Sequence, residues 1–372
     1  MFQAVRIVLS YIKWHYRPYR VEENFEQWVT NRFGRRLYET FFKTYTEKVW
    51  GLPCTEIRAE WAAQRIQGLS LARAILNATS LNQRSTKTVK TLIDEFQYPR
   101  LGPGQMWEAC RDRIVDRGHR VLMNHRASRI MMEDGKVLGV VASTPEGDRL
   151  FPAEHVISTM PVRHLVQALN PAVAPEIQTA ADGLAYRDFV LVALMLKRER
   201  LFPDNWIYIH TPGVKVGRVQ NFNNWSADMV PVPGMTCLGM EYFCFERDEI
   251  WSRPDAELIR MAAAELEALG LATQADVTDG HVVRVPKAYP IYDTAYRGHL
   301  TCIRGVIDAI PNLHTVGRNG MHKYNNQDHS MLTAMMAVDN MLGGSHDIWN
   351  VNTDFEYHEE QRVDQAETRR AV

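Results

Sequence analysis

The side chains best suited to chemistry lie in one stretch of the 372-residue sequence, from Leu313 to Gly344. An apolar run, Leu313 to Val316, predicts a short strand that ends at Gly317-Arg318. A polar loop rich in amide, imidazole and phenol groups follows, and a helix is predicted from about His329 to Leu342. The stretch therefore predicts a strand, a glycine-containing loop and a helix in that order.

The start of this helix is a candidate ligand site. Asp328 or Ser330 is predicted to cap it, and Gly343-Gly344 to end it. The helix is apolar nearly all round, so we expect it to be buried. The first N–H groups of a helix carry a partial positive charge, which suits an anionic or carbonyl-bearing ligand. An ordinary core helix with a long cap fits the same pattern.

Side chains alone offer little catalytic chemistry elsewhere. The sequence contains no G-x-S-x-G, H-E-x-x-H, P-loop or paired-carboxylate signature. His314, His322 and His329 are spaced by eight and seven residues across a strand and a loop, which is not a metal-binding pattern. A bound cofactor would therefore carry any reaction, with the protein binding and orienting it.

Composition limits the class of protein. The chain is 45% hydrophobic and 23% charged, which is typical of a globular protein long enough for two or three domains. A net charge of -1 argues against nucleic acid as a partner, since no dominant basic surface is available to displace counterions from phosphates. The five cysteines show no C-x-x-C spacing, which favours a reducing compartment and predicts a cytoplasmic protein.

Several segments together resemble one family. GRNGMHKYNNQDHSM, from Gly317, is similar to the C-terminal flavin-contacting segment of the superfamily that holds amine oxidases, protoporphyrinogen oxidase and UDP-galactopyranose mutase. Phe41 to Leu71, Tyr98 to Ala109 (YPRLGPGQMWEA) and Val285 to Tyr296 (VPKAYPIYDTAY) resemble bacterial members labelled FAD-dependent oxidoreductases. The resemblance covers roughly Glu23 to Asn350. It implies FAD as the cofactor and a small-molecule substrate, either a nucleotide-sugar or another polar or aromatic ring compound.

One departure from the family is large. Members of this superfamily open with a strand, a G-x-G-x-x-G turn and a helix that hold the FAD pyrophosphate, and this sequence has no such unit. The nearest pairs, Gly102/Gly104 and Gly317/Gly320, lack the spacing and the acidic follower. The sequence is thus expected to lack about the first hundred residues of a family member. It is further expected to be colourless and poorly soluble alone, unless a separate N-terminal chain supplies the unit.

The fold class implied by the resemblance is α/β mixed with α+β. It comprises an incomplete FAD-binding Rossmann-like domain with an inserted substrate domain of antiparallel sheet plus helices. The predicted division is a helical region at 1–97, FAD-binding parts at 98–161 and 285–350, a substrate domain at 162–284, and a tail at 351–372.

Local patterns predict the elements within these regions. A helix runs from Gln105 to about Arg117, and short strands cover Arg120 to Met123, Ala127 to Glu133 and Val137 to Ser143, with a hairpin turn at Asp134-Gly135. Further predictions are strands at His155 to Thr159, Phe189 to Leu196, Trp206 to His210, Gly217 to Asn221 and Thr236 to Phe245, and a helix at Asp255 to Leu271.

The resemblance also implies site residues. Gly317 and Arg318 would approach the FAD pyrophosphate, Asp328 would address the ribityl chain or cap the helix, and the flavin carbonyl would meet the N–H groups of His329, Ser330 and Met331. The adenine end would be flanked by Ser128, Arg129 and Ile130. Tyr324 matches a tyrosine that contacts substrate diphosphate in the mutases, whereas His322, Asn325 and Asn326 replace their usual tyrosine, tyrosine and aspartate. Tentative substrate contacts are Tyr324, His322, Tyr289, Trp61 and Arg65.

Three functions follow from these features. An FAD-dependent oxidoreductase would move a hydride from substrate to flavin N5, and a mutase would use reduced FAD on a UDP-sugar. The absent fingerprint motivates a third, a non-catalytic fragment or one half of a split enzyme. The sequence has no run of about eighteen apolar residues. Its first twenty residues combine an apolar stripe with Arg6, Lys13, Arg17 and Arg20, which fits either an internal helix or a helix lying on a membrane surface.

Overall fold

The computed structural model describes residues 2–59, 62 and 97–352. Its helices, numbered α1 to α13, are Phe2–Tyr16, Phe25–Phe33, Arg35–Leu37, Thr44–Trp50, Gly104–Asp116, Val162–Ala168, Pro175–Gly183, Phe222–Trp225, Glu249–Ser252, Asp255–Ala268, Tyr296–Ile307, Gly317–Gly320 and Gln327–Met341. The strands, β1 to β11, are Arg126–Glu133, Lys136–Thr144, Gly147–Pro152, Val156–Ser158, Leu169–Asn170, Tyr186–Leu196, Trp206–Tyr208, Arg218–Asn221, Thr236–Cys244, Val277–Pro290 and Leu313–Thr315. A π-helical turn, Tyr38–Lys43, leads into α4. The mixed α/β class is confirmed; the predicted domain boundaries stay a prediction.

The largest sheet has five antiparallel strands in the order β10-β6-β9-β8-β7. Alternate residues of β6, from Val190 to Leu196, are fully buried against α10, because a strand turns successive side chains to opposite faces. The other face carries rings and charged groups, including Phe189 and Glu241. The strands predicted in this region, and the helix from Asp255, are confirmed within a few residues.

A second sheet, ordered β3-β2-β1-β5, contains the predicted hairpin. Asp134 and Gly135 have φ of 47° and 74°, the left-handed backbone that a two-residue hairpin turn requires. The strand predicted at Arg120 to Met123 is wrong: these residues are extended or turn and exposed. Apolar residues alone do not make a strand, and no neighbouring strand among the described residues pairs with this segment.

The third sheet is a parallel pair, β4 with β11, and this pair leads into the glycine-containing loop. Asn312, just before β11, ties the pair to the hairpin sheet. Its Nδ2 donates to the carbonyls of Val137 and Glu154, both at 2.8 Å, and its Oδ1 accepts from the Val137 N–H at 2.9 Å. The carboxyl ends of β4 and β11 therefore lie at one edge, with α13 beside them.

Helices α2 and α4 build a separate hydrophobic cluster around Phe25, Trp28 and Trp50. Two cationic side chains join it to the five-stranded sheet, an arrangement we name the cationic clamp. Arg187 of β6 donates to the carbonyls of Val49 at 2.9 Å, Lys48 at 3.3 Å and Phe243 at 2.9 Å. Lys48 of α4 donates in return to backbone carbonyls on the sheet side, those of Ile209, Thr211 and Val216.

The expectation that the helix after the loop is buried is wrong for one face. In α13, His329, Thr333 and Ala337 are buried, but Met331, Met335 and Val338 are 36, 68 and 45% exposed. An all-round apolar helix needs neighbours on every side, and the described residues cover only one face. The predicted N-caps, Asp328 and Ser330, are also wrong, because Asn326 is the N-cap: its side chain and that of His329 form a reciprocal capping box. The predicted end at Gly343-Gly344 is confirmed, since α13 ends at Met341 and Gly343 has φ of 104°.

None of the helices that the structure describes is both long and apolar enough to cross a lipid bilayer.

Candidate active site

The loop between β11 and α13 brings a backbone cradle to the edge where the parallel strands end. Gly317 has φ of 79°, and its N–H donates to Thr333 Oγ1 of α13 at 3.0 Å. A side chain at Gly317 would be strained at this φ and would reach toward Ser330, whose Cβ lies 3.8 Å from the missing Cβ position. Gly317 is buried and its carbonyl accepts from Asn325 Nδ2 at 3.4 Å, so this glycine holds the loop against the first turn of α13.

The same edge holds polar atoms without protein partners. Ser158 Oγ, at the end of β4, and Asn319 Oδ1, in α12, are buried and have no hydrogen-bond partner among the described residues. Ligands of sheets with parallel strands bind at the carboxyl ends of the strands. The partial positive charge at the start of α13 adds to this. Together these features fit the polar, carbonyl-bearing part of a flavin nucleotide.

Arg318 lies between this edge and an aromatic group. Its Nε donates to the Asn325 carbonyl at 2.7 Å and its guanidinium to the Ala288 carbonyl at 3.0 Å. The guanidinium carbon lies 4.8 Å from the ring centre of Tyr324 and 5.3 Å from that of Tyr289, and these two rings stack at 5.6 Å. Burial raises the pKa of the Tyr289 phenol, so it stays protonated at neutral pH.

A buried ion pair lies on the same face of the five-stranded sheet as Tyr289. Arg218 of β8 donates to Glu241 of β9 at 2.6 and 2.8 Å, and Gln220 donates to the other carboxylate oxygen. Burial lowers the pKa of Arg218, but the Glu241 carboxylate together with the phenols of Tyr289 and Tyr45 raises that pKa above its ordinary value. Both charges act electrostatically on Tyr289, so the pair belongs to the same surroundings.

Two further phenols border this ion pair. The ring of Tyr45, from α4, meets that of Tyr208 of β7 edge-on at 4.9 Å. Burial raises the pKa of the Tyr45 phenol. The polar–aromatic face, as we call Tyr289, Tyr324, Arg318, Arg218, Glu241, Tyr45 and Tyr208, offers neutral hydroxyls, a held guanidinium and ring surfaces.

The predicted site residues fall into several groups. Gly317, Arg318, Tyr324 and Tyr289 are brought together as described. Ser330 donates through its hydroxyl to the Asn326 carbonyl at 2.9 Å, and Asp328 lies 3.2 Å from the ring of His329. Met331 projects from the exposed face of α13. Their roles toward a flavin stay predictions.

The remaining predicted residues lie elsewhere. Ser128, Arg129 and Ile130 are in β1, where the Ser128 hydroxyl donates to the Val141 carbonyl and Ile130 is buried. His322 is 1% exposed, so direct contact with a substrate, which stays a prediction, would require the surrounding rings to move. Trp61 and Arg65 lie outside the described residues.

The sequence-based reasoning missed Arg218 and Glu241. A lone glutamate inside the apolar run TCLGMEYFC, and an arginine alternating with Val219 in a short strand, are the available signals, because a charge in a buried strand requires a partner. Asn221 and Tyr242 of the same sheet are buried, and Asn223 donates to the Met235 carbonyl.

Comparison with known proteins gives one family and several similar folds. Residues 18–325 match the family described as flavin-containing amine oxidoreductase. The chain is similar to a solved structure of reduced UDP-galactopyranose mutase, with a TM-score of 0.80 at 21% identity, covering 95% of this chain and 74% of that one. It is also similar to a candidate protoporphyrinogen oxidase from Exiguobacterium sp. 255-15, with a TM-score of 0.63 at 14% identity over 90% of this chain and 72% of that one. An oxidoreductase from Methanosarcina mazei has a TM-score of 0.53 at 14% identity, with coverage of 86 and 67%.

Proposed function

Because this chain belongs to the flavin-containing amine oxidoreductase family, with FAD as its cofactor, we propose that it takes part in an FAD-dependent oxidation of a small molecule. Bound FAD would supply a two-electron acceptor, with flavin N5 receiving the hydride from a substrate C–H bond, and a separate oxidant would restore it. The observation that carries the proposal is that the loop at Gly317 and the polar–aromatic face are adjacent, because Arg318 follows Gly317 and contacts the rings of Tyr289 and Tyr324.

The chain's own residues would bind and orient. Gly317 and the first turn of α13 would meet the polar edge of the flavin nucleotide. The partial positive charge at that turn favours this, as do Ser158 Oγ and Asn319 Oδ1, which have no hydrogen-bond partner among the described residues. Tyr289 and Tyr324 would provide ring surfaces that exclude water from one side of a bound ligand. The neutral phenols of Tyr45 and Tyr289 can donate hydrogen bonds to a polar substrate group without carrying charge.

A mutase acting on a nucleotide-sugar is the second candidate, and Arg318 favours it. A guanidinium held between two tyrosine rings is suited to a diphosphate, since Arg combines charge with planar donors. Against this candidate, the positions at which mutases usually carry tyrosine, tyrosine and aspartate have internal roles here. His322 is buried, Asn325 donates to the Gly317 carbonyl, and Asn326 caps α13.

Substitution of Arg318 tests the cofactor-facing part of the proposal. In a fluorescence titration with FAD, Arg318→Ala should lose roughly 1.5–3 kcal/mol of binding free energy if the charge faces the pyrophosphate. Arg318→Lys should recover most of this binding free energy if the positive charge alone matters. It should recover little if the guanidinium must be positioned by its contacts with the Asn325 and Ala288 carbonyls. Arg198→Ala, which removes an exposed arginine that follows β6 and pairs with Asp276, is the matched control. Unchanged FAD affinity in Arg318→Ala, with an unchanged melting temperature, would refute the assignment.

Spectroscopy under anaerobic conditions separates the functions. An oxidoreductase bleaches oxidised flavin when an oxidisable substrate, such as a primary amine, is added without other reductant. A mutase converts UDP-galactopyranose only after dithionite reduction and shows no net redox change. Failure of the unsubstituted protein to bind FAD at all would favour the non-catalytic alternative.

A further inference from the structure

The first helix carries a surface that the proposed function does not use. In α1, Val5, Leu9, Ile12 and Tyr16 are 53, 60, 45 and 79% exposed. At about 100° per residue these four side chains fall within roughly 60° of the helix circumference. They form a continuous apolar stripe on one side of a 15-residue helix, which we name the α1 stripe.

The opposite side of α1 fixes the helix to the protein. Ser10 Oγ accepts a hydrogen bond from the Arg36 N–H at 3.0 Å, and Trp14 stacks on Tyr19 at 4.8 Å. Tyr19 is in turn held by Asn31 of α2 at 2.8 Å. Because α2 and α3 occupy that side, the α1 stripe faces outward.

Basic residues run beside the stripe. Arg6, Lys13 and Arg17 are exposed, and by the same spacing lie within about 40° of one another, between the stripe and the packed side. Arg17 continues the helical hydrogen bonding, donating to the Lys13 carbonyl at 3.0 Å. No acidic residue occurs in α1, and these three side chains form no ion pair with any described residue.

We propose that α1 docks the protein on an anionic membrane surface, with the α1 stripe entering the boundary between headgroups and acyl chains. Charge complementarity selects this occupant. An apolar stripe bordered by unpaired cations matches a surface that is apolar below and negative above, whereas a second copy of α1 would bring its three cations close to those of the first.

Co-sedimentation with vesicles tests this using the full chain. The protein should sediment with vesicles of phosphatidylcholine mixed with phosphatidylserine, and much less with phosphatidylcholine alone. Binding should fall as salt is raised, since exposed charges are screened. Each basic residue near an anionic surface strengthens binding by about fivefold, so the triple variant Arg6→Gln, Lys13→Gln, Arg17→Gln should bind more than tenfold more weakly.

Matched controls lie on exposed surface away from α1. Arg111→Gln, Lys136→Gln, Arg149→Gln changes net charge by the same amount, and Val232→Ser removes an exposed apolar side chain as Leu9→Ser and Ile12→Ser do. Control variants that lose as much vesicle binding as the α1 variants would overturn the proposal. So would a dimer in solution that Leu9→Ser and Ile12→Ser convert to monomer, because the stripe would then belong to a second copy.

Discussion

His322 makes the stability of the fold depend on pH in a calculable way. Its Nε2 donates to the Ile291 carbonyl at 3.2 Å, while Nδ1 has no partner among the described residues, and the Tyr186 ring meets the imidazole edge-on at 4.8 Å. Burial lowers the pKa of His322 to about 4, from an ordinary value of 6.5. The folded protein therefore holds this ring neutral where the unfolded chain would protonate it.

The sign and size of this pH effect on the unfolding free energy follow from the linkage between proton binding and folding. Because the folded-state pKa is lowered, the unfolded chain binds the proton first as pH falls. The contribution of the neutral His322 ring to the unfolding free energy is therefore fully present above about pH 7. It is lost as pH falls from 6.5 toward 4. A difference of about 2.5 units corresponds to about 3 kcal/mol of unfolding free energy lost by pH 4. That is a large part of the roughly 5–15 kcal/mol that holds a typical domain folded.

Urea unfolding at a series of pH values measures this loss. Other groups titrate in the same range, so the informative quantity is the difference between the parent and His322→Gln, whose amide can reach the Ile291 carbonyl but does not titrate. The parent should lose about 3 kcal/mol more than the variant between pH 7 and pH 4. His119→Gln, an exposed histidine, should follow the parent. Parallel curves for the parent and His322→Gln would show that the ring is not held neutral in the folded state.

Two further predictions concern packing. In Gly139→Ala the new Cβ would lie 2.4 Å from the Phe151 carbonyl oxygen, so β2 and β3 must separate and unfolding free energy should fall by about 1–3 kcal/mol. Gly298 lies in the first turn of α11, and no described residue comes within 4 Å of its missing Cβ, so Gly298→Ala should instead stabilise by up to about 1 kcal/mol. Equal effects of the two substitutions would contradict the geometry. Asn312→Ala removes two hydrogen bonds to Val137 of the hairpin sheet and one to the Glu154 carbonyl, and should cost about 3 kcal/mol of unfolding free energy, with faster amide exchange at Val137. An unchanged exchange rate at Val137 would show that these bonds do not hold the two sheets together.

Local signals predicted much of the fold. The Asp134-Gly135 turn and the alternation of β6 are set by backbone preference and by the period of side chains along a strand, and both were predicted correctly. The predictions of a strand at Arg120 to Met123 and of burial all round α13 were wrong, because each depends on which neighbouring segments pack against that part of the chain. A sequence pattern states what an element could bury, but not whether a neighbour is there.

The candidate site divides in the same way. Gly317 could be found from the sequence because a glycine between a strand and a helix is a local pattern, and its φ of 79° agrees with that. Arg218 and Glu241 are 23 residues apart and meet only because β8 pairs with β9 in one register. Asn326 replaced the expected caps because its side chain and that of His329 satisfy each other, a reciprocity that single-residue preferences do not contain.

The cationic clamp has a consequence for how this protein can move. The carbonyl groups that Arg187 and Lys48 bind lie on opposite sides of the joint between α4 and the large sheet, so any hinge at that joint would have to break several charge-assisted hydrogen bonds at once. Conformational changes concentrate where fewer bonds must break. Helix α4, with Tyr45, and the sheet strands that carry Arg218 and Glu241 should consequently move as one rigid body.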